Sequence, residues 1–270
     1  MLKLLLYIDS SLAAQKAVDY IAPIAAQPEV TVTLLTAQND PTHAADLYGR
    51  VSGRLPGAVL RHVNRAEDAD QALLNEAQAG EYDLAVFGPL RERWSRWVRL
   101  RPRSSLSAQL PISSLLVRGA AQRINRVLLC AGGDTSVIAD ARITARLARR
   151  TEASATILHV LSQMPMIFGV RSPEERVTEN FAATGSPEIV NMQAAVDVLR
   201  ADDVNAEIKV RIGLVIEQIV DELQSGHYDL LVIGAHRSPG LVERLLLEDV
   251  TKDILGQSPV PVLVVKAVHL

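Results

Sequence analysis

Tyr82-Asp83-Leu84-Ala85-Val86-Phe87-Gly88 returns later in the chain as Tyr228-Asp229-Leu230-Leu231-Val232-Ile233-Gly234, and this return decides the fold. Each copy is a polar pair, an unbroken apolar run and a glycine. An unbroken run of this length is what a strand buried on both faces needs. Small residues precede both copies, Ala79-Gly80 and Ser225-Gly226. A repeat fixes architecture before any single element does.

Working outward, the flanks repeat as well. Downstream, Leu110-Pro111-Ile112-Ser113-Ser114-Leu115-Leu116-Val117 answers Ser258-Pro259-Val260-Pro261-Val262-Leu263-Val264-Val265. Upstream, the apolar run Leu4 to Ile8 ends at Asp9-Ser10-Ser11, and Val127 to Ala131 ends at Gly132-Gly133-Asp134. Each half then gives one order of elements. A first strand leads through a polar turn into a helix (12–26; 137–149). A second strand (30–36; 155–160) and a variable stretch follow. Next come a third strand (58–63; 206–212) and a helix (67–79; 214–224). The Tyr-Asp-Leu strand, a loop, a helix and a last strand complete the half. Strands alternating with helices require crossover connections and a mostly parallel sheet. The expected fold class is α/β: two tandem, doubly wound, mostly parallel five-stranded sheets with flanking helices. The expected domains are 1–119 and 126–268, with a polar linker at 120–125.

The second copy carries an insertion at about 162–190, containing Met164-Pro165-Met166-Ile167-Phe168-Gly169. A flap over a cleft and a surface excursion are both open readings. Its tail, Pro187 to Asp203, reads as a helix from the spacing of Ile189, Met192, Ala195, Val196 and Leu199.

Composition agrees with this plan and removes several function classes. Apolar residues make up 48% and aromatics only 4%, so the core is aliphatic. Net charge is −3, which gives no global pull toward nucleic acid or membrane. No run reaches the ~18 apolar residues of a membrane span, and Met1 to Ser11 reads as a strand rather than a signal segment. The one cysteine, Cys130, lies in an apolar strand and reads as an inert thiol, in keeping with a reducing cytoplasm. The six histidines (His43, His62, His159, His227, His236 and His269) form no metal-ligand spacing. His159 reads as a fixed polar group at the end of a strand. No Gly-x-Ser-x-Gly elbow is present.

The order of elements and the motifs together resemble the universal stress protein family over nearly the whole chain, twice. Ile8-Asp9-Ser10-Ser11 resembles its first-strand ending. Leu158-His159-Val160 resembles the end of its second strand, and Arg211-Ile212-Gly213 with Ile216 and Ile219 its third strand and helix. Val260-Pro261-Val262-Leu263-Val264-Val265 resembles its last strand. The resemblance implies an adenine-nucleotide α-hydrolase-like fold and a cytoplasmic stress-response module that binds or regulates rather than catalyses. In ATP-binding members of the family, the first-strand Asp lies near adenine. A Gly-x-x-Gly loop after the fourth strand, nine residues and Gly-Ser/Thr then hold ribose and phosphates. Glycines suit that task because phosphate oxygens are held by backbone N–H groups at close range.

Carried over residue by residue, the nucleotide-binding candidates of the first copy are Ile8, Asp9, Ser10, Ala37, Gly88, Arg91, Arg101, Arg103, Ser104 and Ser105. Those of the second are Ala131, Gly132, Val160, Gly234, Arg237, Gly240, Val250 and Thr251. The loops depart from the family pattern. In the second copy Arg237 stands at the second glycine, and Glu248-Asp249 stand at the final Gly-Ser/Thr. Two carboxylates there repel a triphosphate by about 4 kcal/mol per charge pair at ~4 Å. They also suit the start of a helix through its dipole. In the second copy the first-strand Asp position falls on Gly132, with Asp134 two residues on.

In the first copy Arg91 to Arg103 holds six arginines and one glutamate, a local charge of +5, with Trp94 and Trp97 among them. Three readings stay open: a solvated or inter-domain basic face, a small-anion or nucleotide site, and a protein or nucleic-acid surface. Cys130-Ala131-Gly132-Gly133-Asp134-Thr135-Ser136 also resembles the phosphate loop of PP-loop ATP-pyrophosphatases, one residue short.

The expectation is therefore a tandem binding module with degenerate nucleotide loops and no catalytic residues, a weak ATPase being the remaining enzymatic form. Alternatives are an ATP or AMP switch using the arginine-rich site and, third, a PP-loop-like enzyme. No metal is expected. Expected partners are an adenine nucleotide or other small anion and an unidentified protein, with neither membrane nor nucleic acid. The apolar strands 112–117 and 260–265 are expected to pair as a built-in pseudo-dimer, with a homodimer the alternative.

Overall fold

The structure, a computed structural model, describes residues 1–90, 106–161, 185–235 and 253–266. It forms two compact units, Met1–Arg123 with Pro261–Leu270, and Ile124–Val260.

In the first unit the chain runs β1 (Leu2–Tyr7), α1 (Leu12–Ala25), β2 (Val30–Ala37), α2 (Pro41–Ser52), β3 (Val59–Arg65), α3 (Ala69–Ala79), β4 (Leu84–Phe87), α4 (Leu106–Gln109) and β5 (Ser113–Leu116). These strands lie in the order β3-β2-β1-β4-β5, all parallel. The second unit holds β6 (Arg126–Ala131), α5 (Ser136–Ala148), β7 (Ser154–Leu161), α6 (Pro187–Ala201), β8 (Ala206–Ile212), α7 (Val215–Gly226) and β9 (Leu230–Gly234). Its order is β9-β6-β7-β8, again parallel. The last strand, β10 (Val262–Val265), belongs to the first unit and pairs antiparallel with β5, Val262 opposite Leu116 and Val264 opposite Ser114. Each repeat thus contributes five strands to a mostly parallel α/β fold. The last strand of the expected second domain, 126–268, is laid on β5. The two terminal strands expected to pair do so.

Burial explains the strands. β1, β4 and β10 are apolar and buried almost throughout, and so read as unbroken runs. The edge strand β3 is mostly exposed, which is why its sequence signal is faint. The helices start with matching caps. Ser11 Oγ accepts from Ala14 N at 3.1 Å, Asp40 Oδ1 from Thr42 N at 2.9 Å, and Ser186 Oγ from Ile189 N at 3.4 Å. Proline holds the first turn of both α2 and α6, where it costs no hydrogen bond. Helix α2 falls in the stretch that the sequence presents as variable. Its signal is Asp40-Pro41 followed by the buried Ala44, Leu47 and Val51. The tail of the insertion is α6, as its periodicity predicts; residues 162–184 lie outside the described residues.

The repeated Tyr-Asp pair is a double staple at the amino ends of the strands in each unit. Asp83 Oδ2 accepts from Lys3 N at 2.7 Å, and Asp229 Oδ2 from Asn125 N and Arg126 N at 3.1 Å. Tyr82 donates to Glu76 at 2.7 Å and Tyr228 to Glu222 at 2.9 Å. Arg65 binds Glu76 at 2.8 Å; Lys209 and Arg211 bind Glu222 at 2.8 and 3.0 Å. The glycine before each tyrosine lets the ring fold back: a Cβ on Gly80 or Gly226 would stand 2.2 or 2.1 Å from ring carbon Cε2. Among the described residues, no helix is long and apolar enough to cross a membrane.

Candidate functional site

A parallel sheet presents ligands beyond the carboxyl ends of its strands, where the strand order reverses. In the first unit that point lies between β1 and β4. Ile8 continues β1 by donating its N–H to Leu35 O at 2.9 Å and is fully buried. Asp9 follows, half-buried, with Oδ1 accepting from Ser11 N at 2.8 Å. This Asx turn aims the chain into α1, which Ser11 then caps. Ser10 is exposed, and Ala37 stands half-buried at the end of β2. The neighbouring Tyr7 hydroxyl is pushed well above its ordinary pKa, first by burial and then by the charges of Asp9 and Asp70.

Gly88 ends β4 where α1 begins. A Cβ there would stand 2.5 Å from Ala13 O and 2.6 Å from its carbonyl carbon. The glycine is what lets the first turn of α1 close onto β4. Two recesses flank this point. A cavity of about 600 Å³ on the β2–β3 side is lined by Ala37, Gln38, Asn39, Asp40, Ala66, Glu67 and Asp68. A groove of about 330 Å³ on the β4–β5 side is lined by Leu12, Ala13, Lys16, Pro89, Val117, Arg118 and Gly119. Lys16 Nζ crosses that groove to donate to Gly119 O at 3.2 Å. The edge is therefore acidic beside β2 and basic beside β5.

The second unit is arranged differently. β6 ends at the buried Ala131, and Gly132 is exposed with open space around it. Gly133 has φ +93°, a conformation that favours glycine. Asp134 Oδ1 accepts from Ser136 N at 2.8 Å and also from Ser136 Oγ, repeating the Asx turn of Asp9 one residue further from its strand. His159, buried in β7, places Nδ1 2.9 Å from Ala131 O. Asn191 of α6 donates to Gly133 O at 3.0 Å, and Glu188 packs against the same glycine. The Glu188 carboxyl is held below the usual carboxylate range, first by its own backbone N–H, then by Ser186, with the charge of His159 adding. Burial pushes the Cys130 thiol far up, so it is a poor nucleophile.

The sequence candidates divide accordingly. Ile8, Asp9, Ser10 and Gly88 stand at the ends of two neighbouring strands, with Ala37 one strand over. Ala131, Gly132, Val160 and Gly234 stand at or near the ends of β6, β7 and β9, which are likewise neighbours. Arg91, Arg101, Arg103, Ser104, Ser105, Arg237, Gly240, Val250 and Thr251 lie outside the described residues, as do Glu248, Asp249, Trp94 and Trp97. Sequence reading misses Lys16, Arg118, Asp40, Glu67 and Asp68 around the first unit's edge, and Glu188 and Asn191 in the second. Only Asp40 carries a signal, as a helix cap before proline. Among the described residues, no group of three or more His, Cys, Asp or Glu is placed to hold a metal.

This architecture has known relatives. A universal stress protein from Archaeoglobus fulgidus shares the fold over 99% of this chain and 97% of its own, at 14% identity and a TM-score of 0.65. A Pseudomonas aeruginosa protein of unknown function shares it over 98% of this chain and 92% of its own, at 15% identity and a TM-score of 0.63. No curated protein matches the chain. The universal stress protein family itself matches residues 123–266, one whole repeat including β10 and more than half of the chain. The chain belongs to the universal stress protein family.

Proposed function

We propose that this chain is a stress-response regulatory module of the cytoplasm that takes one adenine nucleotide at the carboxyl edge of its first unit and has no catalytic residues. The observation that carries the reading is the charge polarity of that edge. Asp40, Glu67 and Asp68 line the cavity beside β2 and β3. Lys16 and Arg118 line the groove beside β4 and β5. Asp9 stands between them at the end of β1. A nucleotide has the same polarity. Its base and ribose offer N–H and O–H donors, and its phosphates are anionic. One phosphate charge ~4 Å from a cation gains about 4 kcal/mol at an effective dielectric near 20, and loses as much beside a carboxylate. The favoured orientation puts base and ribose toward Asp9 and the acidic cavity, and phosphates toward Lys16 and Arg118. The family resemblance implies the same direction. Arg91, Arg101 and Arg103 follow Gly88 in the chain and supply the expected further phosphate donors.

Calorimetric titration of AMP, ADP and ATP into the full chain tests this. Saturable heat weakened at least tenfold by Lys16→Glu is expected. No heat at millimolar nucleotide overturns the reading and leaves a ligand-free scaffold. Release of phosphate or pyrophosphate from bound ATP would replace it with an enzyme.

A further inference from the structure

The helix that follows the second strand of each repeat starts in different surroundings in the two units. In the first unit the helix after β2 starts at Asp40-Pro41 and leaves the cavity of about 600 Å³ beside it. In the second, the equivalent helix after β7 starts at Ser186-Pro187, and its first turn lies directly on the loop that leaves β6. Two contacts hold it there, one from Asn191 and one from Glu188. Asn191 Nδ2 donates to Gly133 O at 3.0 Å. A Cβ on Gly133 would stand 2.8 Å from Glu188 Cγ and 3.1 Å from His159 Cε1, so glutamate and imidazole close on bare backbone. His159 is itself fixed to Ala131 O at 2.9 Å, beside the last residue of β6. Gly133 is buried beneath them, although Gly132 and Asp134 on either side are exposed.

We propose that the first turn of α6, through Glu188 and Asn191, is a latch built into the chain that closes the β6–β7 edge of the second unit. The ligand it excludes is the adenine nucleotide of the reading above, on which that part of the proposal rests. Position 133 is filled by the one residue that both adopts φ +93° and leaves room for the Glu188 methylenes. The rest of α6 does not depend on the latch. Met192, Ala195, Val196 and Leu199 are buried and anchor the helix independently. The latch can therefore open without undocking α6, and the second unit would then offer a second site.

The test uses the full chain and the double variant Glu188→Ala/Asn191→Ala, with circular dichroism to verify that helix content is kept. Hydrogen exchange reads the latch itself, and AMP calorimetry reads the site. In the variant, amides of residues 132–136 are expected to exchange at least tenfold faster. AMP stoichiometry is expected to rise from one to two per chain. Unchanged exchange at 132–136 overturns the latch. Two AMP bound by the unaltered chain, or one still bound by a variant with fast exchange, overturns the exclusion. If neither protein binds AMP, the nucleotide reading falls, and exchange alone decides whether the latch exists.

Discussion

Tyr228 donates its hydroxyl to Glu222 Oε1 at 2.9 Å, joining the end of α7 to the start of β9. Glu222 is 1% exposed and also holds Lys209 and Arg211. Tyr82 and Glu76 repeat the bond at 2.7 Å in the first unit. A hydrogen bond to a charged group contributes about 1.5–3 kcal/mol. Tyr228→Phe and Tyr82→Phe are each expected to cost about 1–2 kcal/mol, read as lower urea midpoints. The clusters lie in different units, so the double variant should show the sum. A strongly non-additive result would mean that the two clusters are coupled.

The same cluster sets a pH window. Burial pushes the Glu222 carboxyl up, but hydrogen bonds from Lys209 and Tyr228 and the charges of Lys209 and Arg211 outweigh it, so the net direction is down. Its contribution is full above the ordinary Glu range near ~4.3 and is lost as pH falls through the lowered value. Tyr228 is pushed up to about 12, by burial first and then by Glu222. Its contribution is full below an ordinary tyrosine pKa near ~10 and is lost as pH rises through the raised value. Urea midpoints of the second unit should stay flat from about pH 5 to 9. Glu222→Gln should flatten the acid flank, and Tyr228→Phe the alkaline flank.

Gly88 and Gly132 are both family-motif positions, yet their environments differ. A methyl at Gly88 meets the Ala13 carbonyl at 2.5 Å, and backbone must shift to admit it. A methyl at Gly132 meets nothing within 4 Å. Gly88→Ala should cost about 1–3 kcal/mol as an overpacking change, and Gly132→Ala less than about 0.5 kcal/mol. Thermal or urea unfolding checks both.

The last strand is grouped with the first unit, where it pairs with β5. Val262, Leu263 and Val264 are fully buried, and Lys266 Nζ donates to the backbone carbonyls of Ala108, at 2.7 Å, and Leu110. Leu263→Ala should cost about 2–5 kcal/mol. Its effect should appear as faster hydrogen exchange in β5, whose Leu115 it faces. Loss of protection confined to residues 124–260 would contradict this assignment.

Most of the fold is legible in the sequence because parallel strands advertise themselves. Their cores are continuous apolar runs, and β8 lies at 206–212, where its pattern predicts it. Helix α2 is hard to read because few residues make its buried face, Ala44, Leu47 and Val51. The Tyr-Asp repeat is visible, but its cause is not. Glu76 and Glu222 look like ordinary helix-surface charges until the tyrosine ring is seen folded onto them. Of the site, Asp9 and Gly88 are legible through the family resemblance. Lys16 and Arg118 are not, because only the crossover brings them to one groove. Glu188 and Asn191 are illegible for the same reason: the bond from Asn191 to Gly133 spans 58 residues.

The most direct test of the nucleotide reading is AMP calorimetry on the full chain against Asp9→Asn and Asp134→Asn. Asparagine keeps the oxygen that accepts from Ser11 or Ser136, so each turn survives while its charge is removed. The account predicts one AMP per chain, affinity at least tenfold weaker in Asp9→Asn and unchanged in Asp134→Asn. No saturable heat at millimolar AMP, or a loss caused by Asp134→Asn instead, would contradict it.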